Sequence, residues 1–429
     1  MNSERQRLEG DPAGAAATLR RVGEAGPSVA VAVREILAEV RDGGDAAVSE
    51  LERRFGGGDA PESLRIEPGE LAGAVEAADP QLCAGLKLAA ANVREVAAAS
   101  VGEDRTVELP QGQRMLLREQ PVRRAAVYVP GGRAPYPSTV VMGAVTARVA
   151  GVEQVAVCAP PGPGGNAHPE ILAACAVCGV DEVYSMGGAQ AIAALAYGTE
   201  SVAPVDVVVG PGNPYVQEAK RQLCGVIGID GVAGPSELLA ILDEDPDARL
   251  VALDLLAQAE HGDDSPVLAV SPSAEALDAV ADAIAELAPA DAPSQATCRL
   301  LDVSDLDAAL AFAEAFAPEH LQLMGPGAEA LAPRVRSAGC VFVGAAAGTA
   351  FGDYVAGSNH VLPTGGAARF ASALSPRHFR RRMAEVRLGD GAGAGAAELA
   401  RAGAAIARAE GFEFHAQSME ARIGENDER

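Results

Sequence analysis

The stretch VVVGPGNPYVQEAK, residues 207–220, decides the fold: a β-branched apolar run stops at a glycine turn and a helical run opens directly after it. The same strand–turn–helix signature occurs in VYVPGGRAPYPSTV (127–140) and VYSMGGAQAIAALA (183–196). Short β-rich runs alternate with Ala-rich helical ones around them: AAVYV, a helix from about Ser138 to Ala150, QVAVCA, a helix after His168, EVYSM, another helix, then VDVVVG. This alternation predicts parallel strands joined by helical crossovers. At the C-terminal ends of such strands, backbone N–H groups and helix N-termini face anionic ligands, and Tyr128, Gln190 and Asn213 fall in or beside the three turns. None of the turns is a G-x-G-x-x-G, so the standard dinucleotide fingerprint is missing. One glycine turn alone reads as a tight connection; three in one βα series point to a nucleotide cofactor.

After residue 236 the alternation restarts with ELLAIL, helix 246–260, PVLAVS, helix 274–287, RLLDV, helix 305–316, HLQLM and GCVFVG, which predicts a second α/β unit. Before residue 125 the chain reads as helical, with apolar residues at three- and four-residue spacing, and these helices are expected to pack on the second unit's sheet. Beyond about Arg380 it reads as a helical arm interrupted by a flexible Gly/Ala segment, GDGAGAGAAELA (389–400). The fold class is therefore α/β, two Rossmann-like parallel-sheet domains with small helical extensions at each end.

A chain of 429 residues with 48% hydrophobic content suits a globular protein of two or three domains. Its net charge of −25 repels phosphate backbones and anionic lipid, and no basic cluster overrides it, so neither nucleic acid nor a membrane is an expected partner. The N-terminal MNSERQRLEGDPAG lacks an apolar signal core, which points to a cytoplasmic protein. The seven cysteines are scattered through apolar segments as reduced thiols are; Cys175 and Cys178 read as core thiols on one helix. Cys158, at a strand end, is the one thiol placed like a covalent nucleophile, but it lacks an evident neighbouring histidine.

Six histidines occur, and His168 and His378 read as solvated. The others have polar company: His261 three residues after Gln258, His320 after Glu319, His360 seven after Asp353, and His415 five after Glu410. Each singly reads as a surface or core-satisfied residue, but together they offer a metal set. Gln258 and His261 project from one helical face, Asp353 and His415 complete a shell of amide, imidazole and carboxylate donors, and that mixture suits an open catalytic zinc site. Glu319 and His320 form an acid/base pair; on a regular strand they would point to opposite faces, so sharing a site demands an irregular turn near Pro318.

With these residues in view, the chain resembles histidinol dehydrogenase along nearly its whole length. The matching stretches are YVPGGRAPYPSTVVM (128–142), GGAQAIAALAYGTE (187–200), VVGPGNPYVQEAKR (208–221), GIDGVAGPSELL (228–239), AQAEHGDDS (257–265), APEHLQL (317–323), GDYVAGSNHVLPT (352–364) and EGFEFH (410–415). The resemblance implies a zinc-dependent, NAD-linked oxidation of L-histidinol through an enzyme-held aldehyde to L-histidine, by a homodimer with one zinc per subunit. It implies zinc ligands Gln258, His261, Asp353 and His415, the last from the partner subunit, with Ser236, His320 and Glu410 adding substrate contacts. It further implies NAD contacts at Tyr128, Gln190 and Asn213, His320 as the base for the hydroxyl proton, and Glu319 as the activator of water.

On this resemblance the chain divides into an N-terminal helical extension (1–24), a first α/β domain on the metal side (25–127 and 236–380), a second on the NAD side (128–235) and a C-terminal helical arm (381–429). Gly143 and Thr146 stand where the family has Asn and Pro, which bears on packing near the nucleotide site. A metal-dependent hydrolase would use the same cation and acid/base pair but leaves the three glycine turns without a role. An inactive homologue is the remaining alternative, and every family site position that can be placed is intact.

Overall fold

Ala125 and Val127 point to one side of a sheet and Ala126 and Tyr128 to the other, and all four are buried, as a parallel strand covered on both faces requires. A computed structural model of the chain describes residues 2–8, 10–21, 29–56, 59, 61–131, 134–162, 164–288, 296–388 and 394–422. Its five-stranded parallel sheet has the order Glu182–Ser185, Gln154–Ala159, Arg124–Tyr128, Val207–Val209, Gly228–Ile229. In chain order this is 3-2-1-4-5, five of the six strands of the doubly wound nucleotide-binding order.

The second sheet repeats the design. Thr297–Asp302, Val267–Ser271, Leu238–Leu242, His320–Met324 and Cys340–Val343 lie side by side, all parallel and again 3-2-1-4-5 in chain order. Leu239, Ile241, Leu321 and Leu323 pack on helix Leu306–Phe316, while Leu238, Ala240 and Leu242 pack on helices Ala248–Ala259 and Ala274–Leu287. Burying each such leucine is worth about 1.5–3 kcal/mol.

Three expectations about the flanks are corrected. Helix Ala30–Phe55 and helices Pro68–Ala77 and Pro80–Ala99 supply Val33, Leu51, Leu71 and Val93 to the cores on the two faces of the five-stranded sheet, not to the other sheet, so residues 25–127 do not belong with 236–380. The N-terminal stretch is not a helical extension: Asn2–Arg7 adds a sixth, edge strand parallel to Thr297–Asp302, and helix Pro12–Arg21 packs through Ala16 and Leu19 beside Leu310 and Phe316. NSERQR is exposed along its whole length and carries no apolar period, so nothing in it announces a strand. The boundary expected between residues 24 and 25 lies outside the described residues.

The C-terminal arm begins as a strand, not a helix. Arg380–Arg387 pairs antiparallel with Arg114–Pro121, which also pairs with Arg105–Glu108, and residues 101–121 and 380–429 form a separate compact unit. Within it helices Ala394–Ala409 and Glu413–Glu420 pack through Ala404, Ala407, Ala416 and Met419. Of the expected flexible Gly/Ala segment, residues 389–393 lie outside the described residues and the remainder is helical from Ala394. Among the described residues no helix is long and apolar enough to cross a membrane.

Candidate active site

Three features of the chain bring Glu319 and His320 to one place. Helix Leu306–Phe316 ends at Ala317, whose φ of 47° and ψ of 66° put a non-glycine residue in the left-handed region and turn the chain sharply before Pro318. Arg20 holds that turn: its guanidinium lies 3.9 Å from the centre of the Phe316 ring and donates to the carbonyls of Phe316 and Ala317. The irregular turn that the pair demands is therefore present, and the strand starts only at His320.

Glu237 then organises both side chains. Its backbone N–H donates to Glu319 Oε2 at 2.7 Å, the oxygen that also accepts from Ser236 Oγ at 2.5 Å. Its carbonyl stands 3.0 Å from His320 Nδ1 and accepts from the His320 backbone N–H at 3.1 Å. Its own buried carboxylate accepts from Arg20 Nη1 at 2.5 Å and the Gly365 N–H at 2.8 Å. Desolvation pushes the Glu237 carboxyl above the ordinary range despite the Arg20 guanidinium.

His320 Nε2 lies 3.4 Å from Asp353 Oδ1, and its Nδ1 lies 3.5 Å from Glu319 Oε2. Burial works against the imidazolium, yet the Glu319 and Asp353 carboxylates prevail and hold the His320 pKa well above its usual value. For Asp353 burial likewise works against the charge, and His320, His360 and His261 hold the carboxyl below the usual range. Asp353 sits in helix Thr349–Tyr354, and its carbonyl is 2.9 Å from His360 Nδ1. His360 Nε2 meets Thr139 Oγ1 at 3.2 Å, so this histidine is satisfied in the core.

Gln258 is buried in the last turn of helix Ala248–Ala259, and its Nε2 has no partner. His261 is exposed in the turn just past that helix, with its N–H on the Gln258 carbonyl, so the two do not share a helical face as the spacing predicts. Ser236, Glu319 and His320 enter the second sheet, and Gln258 ends a helix running back along it; the site lies at the N-terminal edge of these strands. On the five-stranded sheet the glycine turns lie instead at the C-terminal ends of the strands.

On the five-stranded sheet Tyr128 and Gln190 are buried and Asn213 is exposed. Tyr128 Oη accepts from the Gly188 N–H at 3.1 Å. Gln190 Nε2 and the Gly187 N–H donate to Glu52 Oε1 at 2.9 and 2.7 Å. Asn213 caps helix Pro214–Leu223 through Oδ1, accepting from the Tyr215 and Val216 N–H groups. Gly210 needs its φ of 118°, and a Cβ there would stand 2.1 Å from the Tyr128 carbonyl oxygen. Part of the first turn, residues 132 and 133, lies outside the described residues.

A family model for histidinol dehydrogenase matches residues 19–423. The chain belongs to the histidinol dehydrogenase family. It is 42% identical over 407 residues to histidinol dehydrogenase of Gluconobacter oxydans, covering 93% of this chain and 94% of that one. It is 40% identical over 429 residues to that of Rhizobium meliloti, covering 98% and 97%. A crystal structure of histidinol dehydrogenase from Elizabethkingia anophelis superposes with a TM-score of 0.88 at 28% identity, over 98% of both chains. Membership makes the chain an oxidoreductase of histidine biosynthesis.

Against the residues expected for the histidinol dehydrogenase family, one compact unit brings together Ser236, Glu319, His320 and Asp353, with His261 near enough for its charge to act on Asp353. Glu410 and His415 lie in the smaller unit, exposed, where helix Ala394–Ala409 gives way to helix Glu413–Glu420. Among the described residues no three His, Cys, Asp or Glu side chains form a metal-binding group in the single chain. The donor types present in this unit nevertheless suit a divalent cation: the amide of buried Gln258, the imidazole of His261 and the Asp353 carboxylate, held in its charged form. Cys158 is fully buried, and burial drives its thiol pKa up, which removes it as a nucleophile.

Glu237, Arg20 and Glu52 were not legible as site residues. Glu237 follows Ser236 at the head of a strand, and its role rests on backbone groups that any residue carries. Gly143 and Thr146 are explained locally: a Cβ on Gly143 would stand 2.5 Å from Val127, and Thr146 Oγ1 donates to the Met142 carbonyl while accepting from Asn359 Nδ2 at 3.3 Å.

Proposed function

We propose that the protein oxidises L-histidinol to L-histidine in two NAD-dependent steps through an enzyme-held L-histidinaldehyde, with one zinc ion per subunit. The meeting of Glu319, His320 and Asp353 from separated segments, in a chain matching the family over residues 19–423, is the observation that supports this reading.

Gln258, His261 and Asp353 would hold the zinc together with His415 of a second copy of the chain, which makes the working form a homodimer. The ion supplies Lewis acidity and a fixed grip on the substrate's nitrogen atoms. His320 Nδ1 is tied to the Glu237 carbonyl, which leaves Nε2, on the Asp353 side of the ring, to exchange a proton. Nε2 is then the atom that takes the hydroxyl proton as hydride leaves for NAD. Glu319, oriented by Ser236 and Glu237, takes a proton from water for the aldehyde hydrate, from which the second hydride departs. Ser236 and Glu410 add substrate contacts, and Tyr128, Gln190 and Asn213 line the NAD side. Closing the site on the aldehyde keeps it from solvent between the two steps. The reaction belongs in the cytoplasm, where NAD is supplied.

The test is the number of NADH molecules formed per histidinol consumed, followed at the NADH absorbance band before and after chelation. A ratio near two, abolished by chelator and restored by zinc, is expected. Unchanged activity after thorough metal removal overturns the zinc site, and no NADH overturns the oxidation.

A further inference from the structure

A second layer of polar contacts lies directly beneath the proposed catalytic set. Asp254 precedes Gln258 by four residues on one helix, Gln322 follows His320 by two on one strand, and Thr349 precedes Asp353 by four on a third element. Four-residue spacing on a helix and two-residue spacing on a strand each keep side chains on one face. Each member of the lower layer therefore stands under one member of the upper.

Those three lower residues are bound together. Gln322 Nε2 donates to Asp254 Oδ2 at 2.5 Å, and the backbone N–H and hydroxyl of Thr349 are close enough to the same carboxylate to favour its charge. Gln322 and Thr349 are buried. A Cβ on Gly348 would stand 3.2 Å from Asp254 Oδ1, so the close approach of the Thr349 backbone is built into the sequence. No other described contact joins these three segments through a single side chain at this level, and no step of the reaction uses it.

We infer that Asp254 is a positioning residue: by tying Gln322 and Thr349 it fixes the separations of Gln258, His320 and Asp353, and so sets zinc affinity without touching zinc or substrate. The inference rests on the zinc reading above. Outer partners that orient metal ligands are typically worth 10–100-fold in affinity. Asp254→Ala is expected to lower the zinc affinity of the apo-protein by about that factor, read by competition with a chromophoric chelator, and to lower kcat for histidinol. KM for NAD stays unchanged, because Tyr128, Gln190 and Asn213 belong to the other sheet. Asp254→Asn, which keeps the shape but loses one accepting oxygen, falls between the two.

If Asp254→Ala does not fold, Thr349→Val removes one donor from the carboxylate and serves instead, with a smaller loss in the same direction. A folded variant with zinc affinity and kcat within twofold of the parent overturns the inference alone. A parent that binds no zinc overturns this inference and the zinc reading together. A loss of thermal stability with unaltered zinc affinity assigns Asp254 a purely structural part and also overturns it.

Discussion

Ser236 donates its hydroxyl hydrogen to Glu319 Oε2 at 2.5 Å, on the same oxygen that takes the Glu237 N–H. The carboxylate is thus aimed from one side by two donors. Glu319→Gln keeps an oxygen for those donors but cannot accept a proton from water, so the second oxidation should slow by roughly 10²–10⁴-fold. NADH per histidinol should fall from two toward one, with aldehyde trapped by a carbonyl reagent. Ser236→Ala removes one of the two donors that aim Glu319, together with the proposed substrate contact, and should cost about tenfold or more, from the worth of one hydrogen bond to a charged group upward. An unaltered stoichiometry in Glu319→Gln would place water activation elsewhere.

Gly143 lies where the helical segment after Pro137 widens to i→i+5 hydrogen bonding, over Val141–Val145. Replacing a helical glycine by alanine ordinarily gains about 0.5–1 kcal/mol. Here the new methyl would stand 2.5 Å from a buried Val127 side chain, and overpacking of that kind costs about 1–3 kcal/mol. The clash wins, and Gly143→Ala should lower the urea midpoint. A raised midpoint would show that the contact relaxes freely.

Desolvation raises the pKa of Glu52 above its usual 4.5, although the Gly187 N–H and Gln190 both favour the charge. A carboxyl whose folded pKa is raised contributes stability that is full below the unfolded value and is lost as pH climbs through the folded one. Glu52→Gln keeps the acceptor for Gly187 and Gln190 and removes that loss. The melting temperature of the variant minus that of the parent should therefore grow from pH 4.5 upward, and a difference flat with pH would contradict a raised Glu52 pKa.

If His415 serves the site of a second copy, two inactive variants can complement. His415→Asn mixed with Gln258→Ala after gentle dissociation should recover about a quarter of parental activity, because random pairing puts half of the molecules in mixed dimers with one intact site each. Recovery absent from verified mixed dimers would mean that each chain builds its site alone.

Both parallel sheets were legible in the sequence because their strands are apolar runs punctuated by glycine turns, and Leu238–Leu242 or Val207–Val209 admit no other reading. The edge strand Asn2–Arg7 was not, since its pairing uses backbone groups alone and its side chains face water. Ser236, Glu319, His320 and Asp353 were legible through their place in long motifs. Glu237 and Asp254 were hidden because they act through hydrogen bonds between segments 82 and 68 residues apart, which periodicity does not encode. Helix Ala30–Phe55 was placed on the wrong sheet because an amphipathic pattern declares that a face is buried without declaring against what.

Asn2–Arg7 pairs with Thr297–Asp302, so this strand must wait during synthesis for one made almost 300 residues later. At translation speeds of roughly 5–20 residues per second, that is a delay of about 15–60 seconds on the ribosome. Glu4, Arg5 and Arg7 make the waiting segment charged and water-loving, an unattractive template for a neighbouring nascent chain.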